Sequence, residues 1–445
     1  MVTAWSVPGA SAATRDGWGA TLAVILLVLL SSGNPAFIVP DAPEFTIVPA
    51  AIVLAIALLL KQRLAVRGSD AVVFGVFVLL TAVHLATVAG ATLTSALGFF
   101  ARLFVGYAVI RLVVDAPRLI VQVMSALAAL GIAIYVIDQM LRLVGIDLAS
   151  MLAPLSLSAP ESRVVHVAFH NFNSPIDRHR NAGLFWEPGA FSGYCITALL
   201  LLAFARPHFT RGQYLRHAAV LTLGVLTSLS TTGYLILPAV LLVHVLRAAA
   251  GRGAGSVVIA AGIALPVFLA VGILSYELPF MRTKIEDQVF SVSEERGDWQ
   301  ITRFGTLIAD MQDIAQRPIS GWGANPRVRP SQAELSEILQ TSQGNGFTNW
   351  VVRYGVVGLL TFLFFTIRGL RSYGGTGWAT PALASAILLL LLQGEMFLNY
   401  PLYLGLMFLH GTAATRRVWV VPIVGRPATE GSGWVGVSSD ARPRA

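Results

Sequence analysis

Residues 71–90 read AVVFGVFVLLTAVHLATVAG, which is twenty consecutive positions without an Asp, Glu, Lys or Arg. A helix of this length crosses the hydrocarbon core of a bilayer, which is roughly 30 Å thick. Similar runs recur along the 445-residue chain, in which 55% of the residues are hydrophobic and 12% are charged. Because soluble domains are about 25% charged, the composition excludes a soluble globular protein, a disordered chain and a coiled coil.

The apolar runs predict an all-α polytopic membrane protein with about twelve transmembrane helices. The predicted spans are 19–39, 46–60, 71–90, 94–114, 118–138, 184–204, 215–230, 232–248, 255–276, 347–367, 378–396 and 400–414. The segments 139–183 and 277–346 are too long to be turns, and we expect them to form an ordered cap, since long loops in compact proteins are usually functional or disordered.

The positions of Lys and Arg predict the orientation. Fourteen of them follow the even-numbered spans: Lys61, Arg63, Arg67, Arg111, Arg118, Arg206, Arg211, Arg216, Arg247, Arg252, Arg368, Arg371, Arg416 and Arg417. The alternate short loops, 40–45, 91–93, 231 and 397–399, contain none. Since basic residues stay on the cytoplasmic side, both termini are predicted to be cytoplasmic. The net charge of +8 follows from these loops, and no basic stripe indicates nucleic-acid binding.

The predicted organisation is that of a multi-pass membrane protein. It comprises a cytoplasmic tail 1–17, helices one to five in 18–138, a first large outer loop 139–183, helices six to nine in 184–276, a second large outer loop 277–346, helices ten to twelve in 347–414, and a cytoplasmic tail 415–445.

The sequence predicts no metal site and no cofactor. The single cysteine, Cys195, excludes an intramolecular disulfide and a Cys-based zinc site. His166 and His170 are four residues apart but have no nearby carboxylate pair, which makes zinc improbable. Asp41 and Glu44 are the one acidic pair beside the first span, a weak basis for a metal-dependent lipid-sugar transferase.

The first candidate segment is HRNAGLFWEPG, residues 179–189, where the first large loop meets span six. The guanidinium fork of Arg180 matches phosphate or carboxylate. Glu187 has two readings that stay open: a chemical role, or a carboxylate that favours the N-terminal dipole of a helix whose first turn holds Pro188.

Two further segments combine polar residues with glycines. One is RPISGWGANP, residues 317–326, in the second large loop, which also contains Arg303. The other is GNGFTNWVVRYG, residues 344–355, in which Asn345 and Asn349 face one way if the helix includes them. The alternative for that segment is capping by Asn345, with Arg353 at the membrane interface.

Arg102 lies in the middle of a predicted span, and intramembrane charges are candidate functional residues. Its alternative is a structural ion pair with Glu395 or Asp138.

In order and spacing the three segments resemble the superfamily of O-antigen polymerases and ligases (Wzy- and WaaL-like) and the related exopolysaccharide repeat-unit polymerases. The resemblance rests on Arg180, Gly183, Phe185, Glu187 and Pro188, on Pro318, Gly321 and Gly323, and on Asn345 followed ten residues later by Gly355. Ligases usually have His-Asn where this chain has Gly344-Asn345, and the missing histidine favours a polymerase. The Ser-Arg that commonly begins span eight in ligases is also absent.

The resemblance implies a GT-C-like architecture and a metal-independent glycosyltransferase whose donor is an undecaprenyl-diphosphate-linked oligosaccharide. It also implies a location in the bacterial inner membrane, with the two large outer loops in the periplasm. Arginines would stabilise the diphosphate leaving group, a task that Mg²⁺ performs elsewhere. The expected catalytic residues are Arg180, Arg303 and Glu187, the last as base or as a partner that orients Arg180. The expected substrate-binding residues are Arg102, Asn345, Asn349, Arg353 and Trp322.

The expected partners are lipid-linked repeat units, membrane lipid, and a chain-length regulator and flippase of the same pathway. A ligase that moves glycan to lipid A or protein is the main alternative. A lipid-linked oligosaccharide transporter is a further alternative, although the sequence shows no repeat symmetry.

Overall fold

The computed structural model describes residues 17–39, 42–61, 66–157, 164–173, 177–250, 303–331, 345–374 and 377–410, with isolated helical positions at 255, 262 and 266. Its α-helices are α1 (Trp18–Leu29), α2 (Glu44–Leu60), α3 (Gly68–Thr87), α4 (Leu93–Leu112), α5 (Ala116–Leu143), α6 (Leu148–Leu152), α7 (Pro188–Ala205), α8 (Arg211–Thr227), α9 (Thr231–Ala250), α10 (Arg303–Gln316), α11 (Gly346–Gly374), α12 (Ala379–Leu392) and α13 (Pro401–Gly405). Antiparallel strands β1 (His166–Val167) and β2 (His170–Asn171) form a hairpin. Single 3₁₀ turns are Ala153–Leu155, Arg206–His208, Pro326–Val328, Phe397–Asn399 and Leu406–Phe408.

Six described helices are long and apolar enough to cross a membrane, namely α3, α4, α5, α9, α11, and α7 with its 3₁₀ extension to His208. This supports the predicted polytopic membrane protein, and the number of twelve spans stays a prediction. The helix predicted for 19–39 ends earlier, at Leu29, and the one predicted for 400–414 begins with the five-residue α13. The ninth predicted span, 255–276, lies outside the described residues except for positions 255, 262 and 266.

The centre of the bundle is α7, in which every residue except Gly189 is buried. It packs against α5, α8 and α9. Glycines let neighbouring helices approach closely, as small residues do in membrane bundles. A Cβ atom on Gly106 of α4 would stand 2.7 Å from the backbone nitrogen of Gly405 in α13.

The end of the bundle that carries the basic loops is held by polar contacts between helices. His410 Nε2 lies 3.0 Å from Asp70 Oδ1, which joins the end of the described chain to α3. Asp115, before α5, accepts a hydrogen bond from Tyr373 and lies 2.8 Å from His208 Nδ1. Asp115 thus connects the segments around His208 and Tyr373. The positions of Lys and Arg assign all three segments to the same side of the membrane.

The opposite end carries the two predicted large loops. The Nδ2 of Asn34, after α1, donates to the carbonyl oxygens of Leu184 and Val167. The first loop is thereby anchored to the α1–α2 connection. The second loop contributes the amphipathic helix α10 and the segment 317–331 that follows it.

Candidate active site

A cavity of about 460 Å³ opens at the end of the bundle that carries the large loops. Its lining comes from separate parts of the chain: Gly33 and Ile38 before α2, Pro43, Glu44 and Ile47 at the start of α2, Ser95 and Arg102 in α4, Ala324 and Pro326 in the second loop, Arg353 in α11, and Asn399 and Tyr400 before α13. Its volume is in the range of small-ligand sites in proteins. Two of the substrate-binding residues predicted from sequence, Arg102 and Arg353, meet here.

Arg102 forms an ion pair with Glu44, with 2.8 Å between Nη2 and Oε1. Glu44 is the first residue of α2, and it packs against Gly98, one turn before Arg102 on α4. A Cβ atom on Gly98 would stand 2.6 Å from Glu44 Oε1, so a larger residue there would require the Glu44 side chain to shift. The expected partner, Glu395 or Asp138, was wrong: Glu44 pairs with Arg102, and Asp138 lies 3.0 Å from Arg142.

Arg353 enters the cavity from α11. Its Nη1 donates to Asn399 Oδ1 at 3.1 Å, and it interacts electrostatically with Arg102 and Arg329. Like charges at the membrane end of a bundle are costly unless an anion or a carboxylate compensates them. The cavity lining thus brings together two guanidinium groups, of Arg102 and Arg353, and the carboxylate of Glu44.

Arg353 is held beside a break in α11. The backbone at Gly355 has φ 62° and ψ −171°, a conformation that is essentially restricted to glycine. The span was predicted as one uninterrupted helix over 347–367, which was wrong at this residue. A Cβ on Gly355 would also collide with the carbonyl oxygen of Ile319.

The turn 318–323 of the second loop replaces the helical hydrogen bonds that the break removes. The backbone amides of Trp322 and Gly323 donate to the carbonyl oxygens of Val352 and Arg353, both at 2.8 Å. In the other direction, the amide of Val356 donates to the Pro318 carbonyl at 2.8 Å. The second and third candidate segments are thus one structural unit, since the glycine turn of one fills the glycine break of the other.

Side-chain contacts hold this loop over the cavity. Arg329 Nη1 donates to Asp310 Oδ1 at 2.9 Å, and Thr348 of α11 also donates to Asp310. Burial raises the pKa of Asp310, and the charge of Arg329 opposes that rise. His84 Nε2 lies 2.7 Å from the Ser320 carbonyl oxygen, which fixes the turn to α3.

The two residues singled out in the first candidate segment, Arg180 and Glu187, have different surroundings in the structure. Arg180 pairs with Asp177 at 3.1 Å and is not among the residues that line the cavity. The following Asn181 donates to Thr227 Oγ1 at the end of α8. Arg180 therefore lies in the part of the first loop that contacts the end of α8. Arg178 pairs with Asp147, which precedes α6.

Glu187 precedes the first residue of α7, where the predicted proline begins the helix. Its Oε1, like that of Glu395, is about 3 Å from the position that a Cβ on Gly189 would occupy, so the two carboxylates are neighbours. Both interact electrostatically with Tyr400, which lines the cavity, and so does Arg102. Tyr400 thus stands between the arginine side of the cavity and a pair of carboxylates.

The remaining predicted residues lie around this centre. Asn345 accepts from the amides of Phe347 and Thr348, as expected for a cap, and its Nδ2 donates to Gln393 Oε1 at 2.7 Å. Asn349 is 3% exposed and lies in the same turn. Trp322 donates from Nε1 to the Asp313 carbonyl and is covered by the Arg317 guanidinium, 4.8 Å from its ring. Arg303 is the first residue of α10, and its side chain is not among those that the structure describes.

Four polar residues of the cavity lining were not identified as site residues from the sequence: Glu44, Ser95, Asn399 and Tyr400. Glu44 was considered only with Asp41 as a metal pair, although an acid at the start of an apolar helix was a signal in itself. Asn399 and Tyr400 are two polar residues before Pro401, in a short loop that contains no motif. Within the described ranges, no three His, Cys, Asp or Glu side chains are grouped as a metal ion would need.

Residues 217–363 match the family model described as O-antigen ligase. The matched segment is roughly a third of the chain and includes Arg353 and the second large loop, but not Arg102 or Glu44. No curated protein matches the chain. The match confirms, for this segment, the resemblance to the O-antigen polymerase and ligase superfamily.

Proposed function

We propose that this chain is a polysaccharide polymerase that transfers a growing glycan from undecaprenyl diphosphate to a new lipid-linked repeat unit at the outer face of the inner membrane. The observation that carries the proposal is the cavity in which Arg102 and Arg353 meet at the end of an apolar bundle. A lipid-linked diphosphate has its charge at this depth, with its sugar outside the membrane and its chain inside.

In the proposed reaction, a hydroxyl oxygen of the new unit bonds to the anomeric carbon of the growing chain. The bond between that carbon and the diphosphate oxygen breaks, and its electron pair leaves with the diphosphate. The hydroxyl proton passes to a carboxylate, for which Glu187 is the candidate.

We assign the diphosphate to Arg102 and Arg353. Preorganised donors aimed at a developing negative charge stabilise the transition state, and removing one typically costs about 2.7–4 kcal/mol. Asn345 and Asn349 support the start of α11, from which Arg353 extends. Arg180 and Trp322, both held by contacts outside the cavity lining, are assigned to loop positioning, and Arg303 remains a candidate donor from α10.

A polymerase is favoured over a ligase because Gly344 stands where ligases usually have histidine, although Gly344 lies outside the described residues. A transporter is less favoured, since the one break described in α11 is filled by loop backbone and has no symmetric counterpart among the described helices.

A deletion strain tests the proposal and separates the alternatives. We expect it to accumulate single, unpolymerised repeat units on the lipid carrier, detected by mass spectrometry of extracted lipids. The purified chain, reconstituted with those lipids, should then release undecaprenyl diphosphate and lengthen the glycan, with EDTA present. Normal polymer that is no longer attached to its final acceptor would identify a ligase instead, and EDTA inhibition would identify a metal-dependent enzyme.

A further inference from the structure

The first large loop begins with a segment that is both apolar and exposed. Residues 143–157, which run from the end of α5 through α6 and the 3₁₀ turn after it, contain one charged residue, Asp147. Leu143 is 81% exposed, and Met151 and Leu155 are each 66% exposed. Contiguous exposed apolar surface marks a contact with a protein, a ligand or a membrane. The exposed apolar side chains of this segment are named the 143–157 patch: Leu143, Val144, Ile146, Met151, Leu155 and Leu157.

The chain reverses its direction immediately after α5. Gly145 has φ 81°, and the amide of Ile146 donates to the carbonyl oxygen of Leu141 at 2.9 Å, which is the hydrogen bond of a Schellman motif. After this turn the chain packs back on α5, because Ile134 contacts the buried apolar cluster that includes Ala149 of α6. Helix α6 therefore lies against the side of α5 and not beyond its end.

This packing places α6 at the level of the membrane. Helix α5 has 28 residues, so it is about 42 Å long and exceeds the hydrocarbon core of about 30 Å. Ile134 precedes the last residue of α5 by about 14 Å along the helix axis, which is close to that excess, and it falls within the predicted span 118–138. Helix α6 thus returns to the depth at which the hydrocarbon core ends.

The patch continues a surface that already faces lipid. Met140, in the last turn of α5, is exposed like the patch that follows it. The charged groups nearby are paired and do not interrupt this surface. Arg142 lies 3.0 Å from Asp138. Asp147 is ion-paired with Arg178 from later in the same loop. A continuous apolar surface therefore extends from the side of α5 onto α6 and the turn after it.

We propose that the 143–157 patch is a membrane-binding surface that inserts among the phospholipid acyl chains of the outer leaflet. Interfacial segments of this kind bury their apolar face roughly 5–10 Å into the boundary between headgroups and chains, with their polar face in water. In α6 the polar side is that of Ser150, whose hydroxyl donates to Asp147. Bound lipid fixes α6 and, through their shared apolar cluster, the hairpin β1–β2. The inference is independent of the proposed function, because none of the six patch residues lines the cavity.

Nitroxide spin labels measure the depth of the patch in the full chain, reconstituted in nanodiscs of phosphatidylcholine. Met151→Cys and Leu155→Cys carry the label in the patch, and Ile137→Cys is a lipid-facing reference on α5. Collisions with oxygen, which concentrates in hydrocarbon, are compared with collisions with a water-soluble nickel chelate. Because the apolar face is expected roughly 5–10 Å deep, the oxygen-to-nickel ratio at both patch positions should exceed that of Ser150→Cys at least about fivefold and approach that of Ile137→Cys.

Ser150→Cys is the matched control. Ser150 is exposed and adjacent to Met151, but the helix turns it about 100° away from that residue, toward Asp147. The parent chain, whose single cysteine Cys195 is buried, gives the background labelling. Thermal unfolding of each labelled variant verifies that it is folded, and the two patch positions lie in different elements, so each tests the proposal without the other.

Two results would overturn the proposal. An oxygen-to-nickel ratio at both patch positions equal to that of Ser150→Cys would show that the patch faces water. Few collisions with either reagent at these positions would show that protein, such as a second copy of this chain, covers the patch in place of lipid. Both results leave the proposed function standing, since the deletion strain tests it separately.

Discussion

At the scale of single residues, the cavity distinguishes arginines that are otherwise alike in the sequence. Arg102 and Arg353 line it, whereas Arg180 and Arg178 are ion-paired in the first loop. The difference matters because a guanidinium binds a diphosphate through its planar fork, which lysine lacks.

Arg102→Lys should therefore reduce turnover roughly a hundredfold, the consequence of losing about 3 kcal/mol of transition-state stabilisation. The measurement is release of undecaprenyl diphosphate by reconstituted protein. Arg371→Lys is the matched control, since Arg371 stacks on Trp378 after α11, at the basic end of the bundle. Turnover of Arg102→Lys within twofold of the control would remove Arg102 from the reaction.

Arg180 gives the complementary prediction. If it positions the first loop through Asp177, Arg180→Lys keeps the ion pair and should retain turnover to within about threefold of wild type, since such pairs contribute about 0–1 kcal/mol. Asp177→Asn should then resemble Arg180→Ala. A severe defect in Arg180→Lys together with a silent Asp177→Asn would instead show that Arg180 itself binds the diphosphate.

At the scale of secondary-structure elements, the break in α11 and the turn that fills it are the most constrained feature. Gly355 and Gly321 both have positive φ, at 62° and 72°. A Cβ on Gly321 would stand 2.6 Å from the carbonyl carbon of Arg353, so the turn reaches α11 only because it has no side chain there.

Gly355→Ala and Gly321→Ala should each destabilise the protein by more than about 2 kcal/mol, because backbone strain adds to the steric collision. They should also abolish turnover by displacing Arg353. Gly75→Ala is the control: Gly75 lies in α3 with no atom within 4 Å of its Cβ position, and alanine there should be neutral or stabilising by about 1 kcal/mol. Thermal unfolding in one detergent measures all three, and equal melting temperatures would contradict the proposed packing.

The β1–β2 hairpin of the first loop carries a pH-dependent element. Burial lowers the pKa of His166 to about 4 and that of His170 to about 3. In the unfolded hairpin both rings titrate near 6.5, so between that pH and about 4 the unfolded state binds more protons. The stability of the hairpin should therefore fall as the pH decreases through this interval.

Hydrogen exchange of the amides in 164–173 measures this effect. After correction for intrinsic rates, exchange should be faster at pH 5 than at pH 7.5 in the wild-type protein. The double variant His166→Gln/His170→Gln should show little difference between the two conditions. An equal pH response in both proteins would assign the effect to other groups.

At the scale of the whole molecule, the loops that carry the cavity must face the side on which the glycan is assembled. Reporter fusions at Arg63, Arg211 and Arg371 should report the cytoplasm, and fusions within 150–175 and 285–340 should report the outer side. The physical reason is retention of Lys and Arg in the cytoplasm. A cytoplasmic signal from either large loop would separate the cavity from its substrate and overturn the proposed function.

The sequence by itself determined the class of protein and the approximate positions of most described helices. Apolar runs of spanning length have few stable alternatives in a bilayer, because every backbone polar group must be satisfied within the segment. Arg102 and Arg353 were also identified from the sequence, since an arginine in an apolar helix is conspicuous against its surroundings.

Only the tertiary structure decided which polar residues meet. Glu44, Asn399 and Tyr400 join Arg102 and Arg353 through packing of α2, α4, α11 and the α12–α13 connection, and no local sequence pattern encodes contacts between such separate segments. Arg180, which the motif placed first, pairs with Asp177 only three residues away, and only the tertiary structure places Arg180 outside the cavity lining. The break at Gly355 is stable because the turn 318–323 supplies its hydrogen bonds. From the sequence alone a helix with this break cannot be told from an intact helix, because the turn that fills the break is contributed by a separate segment.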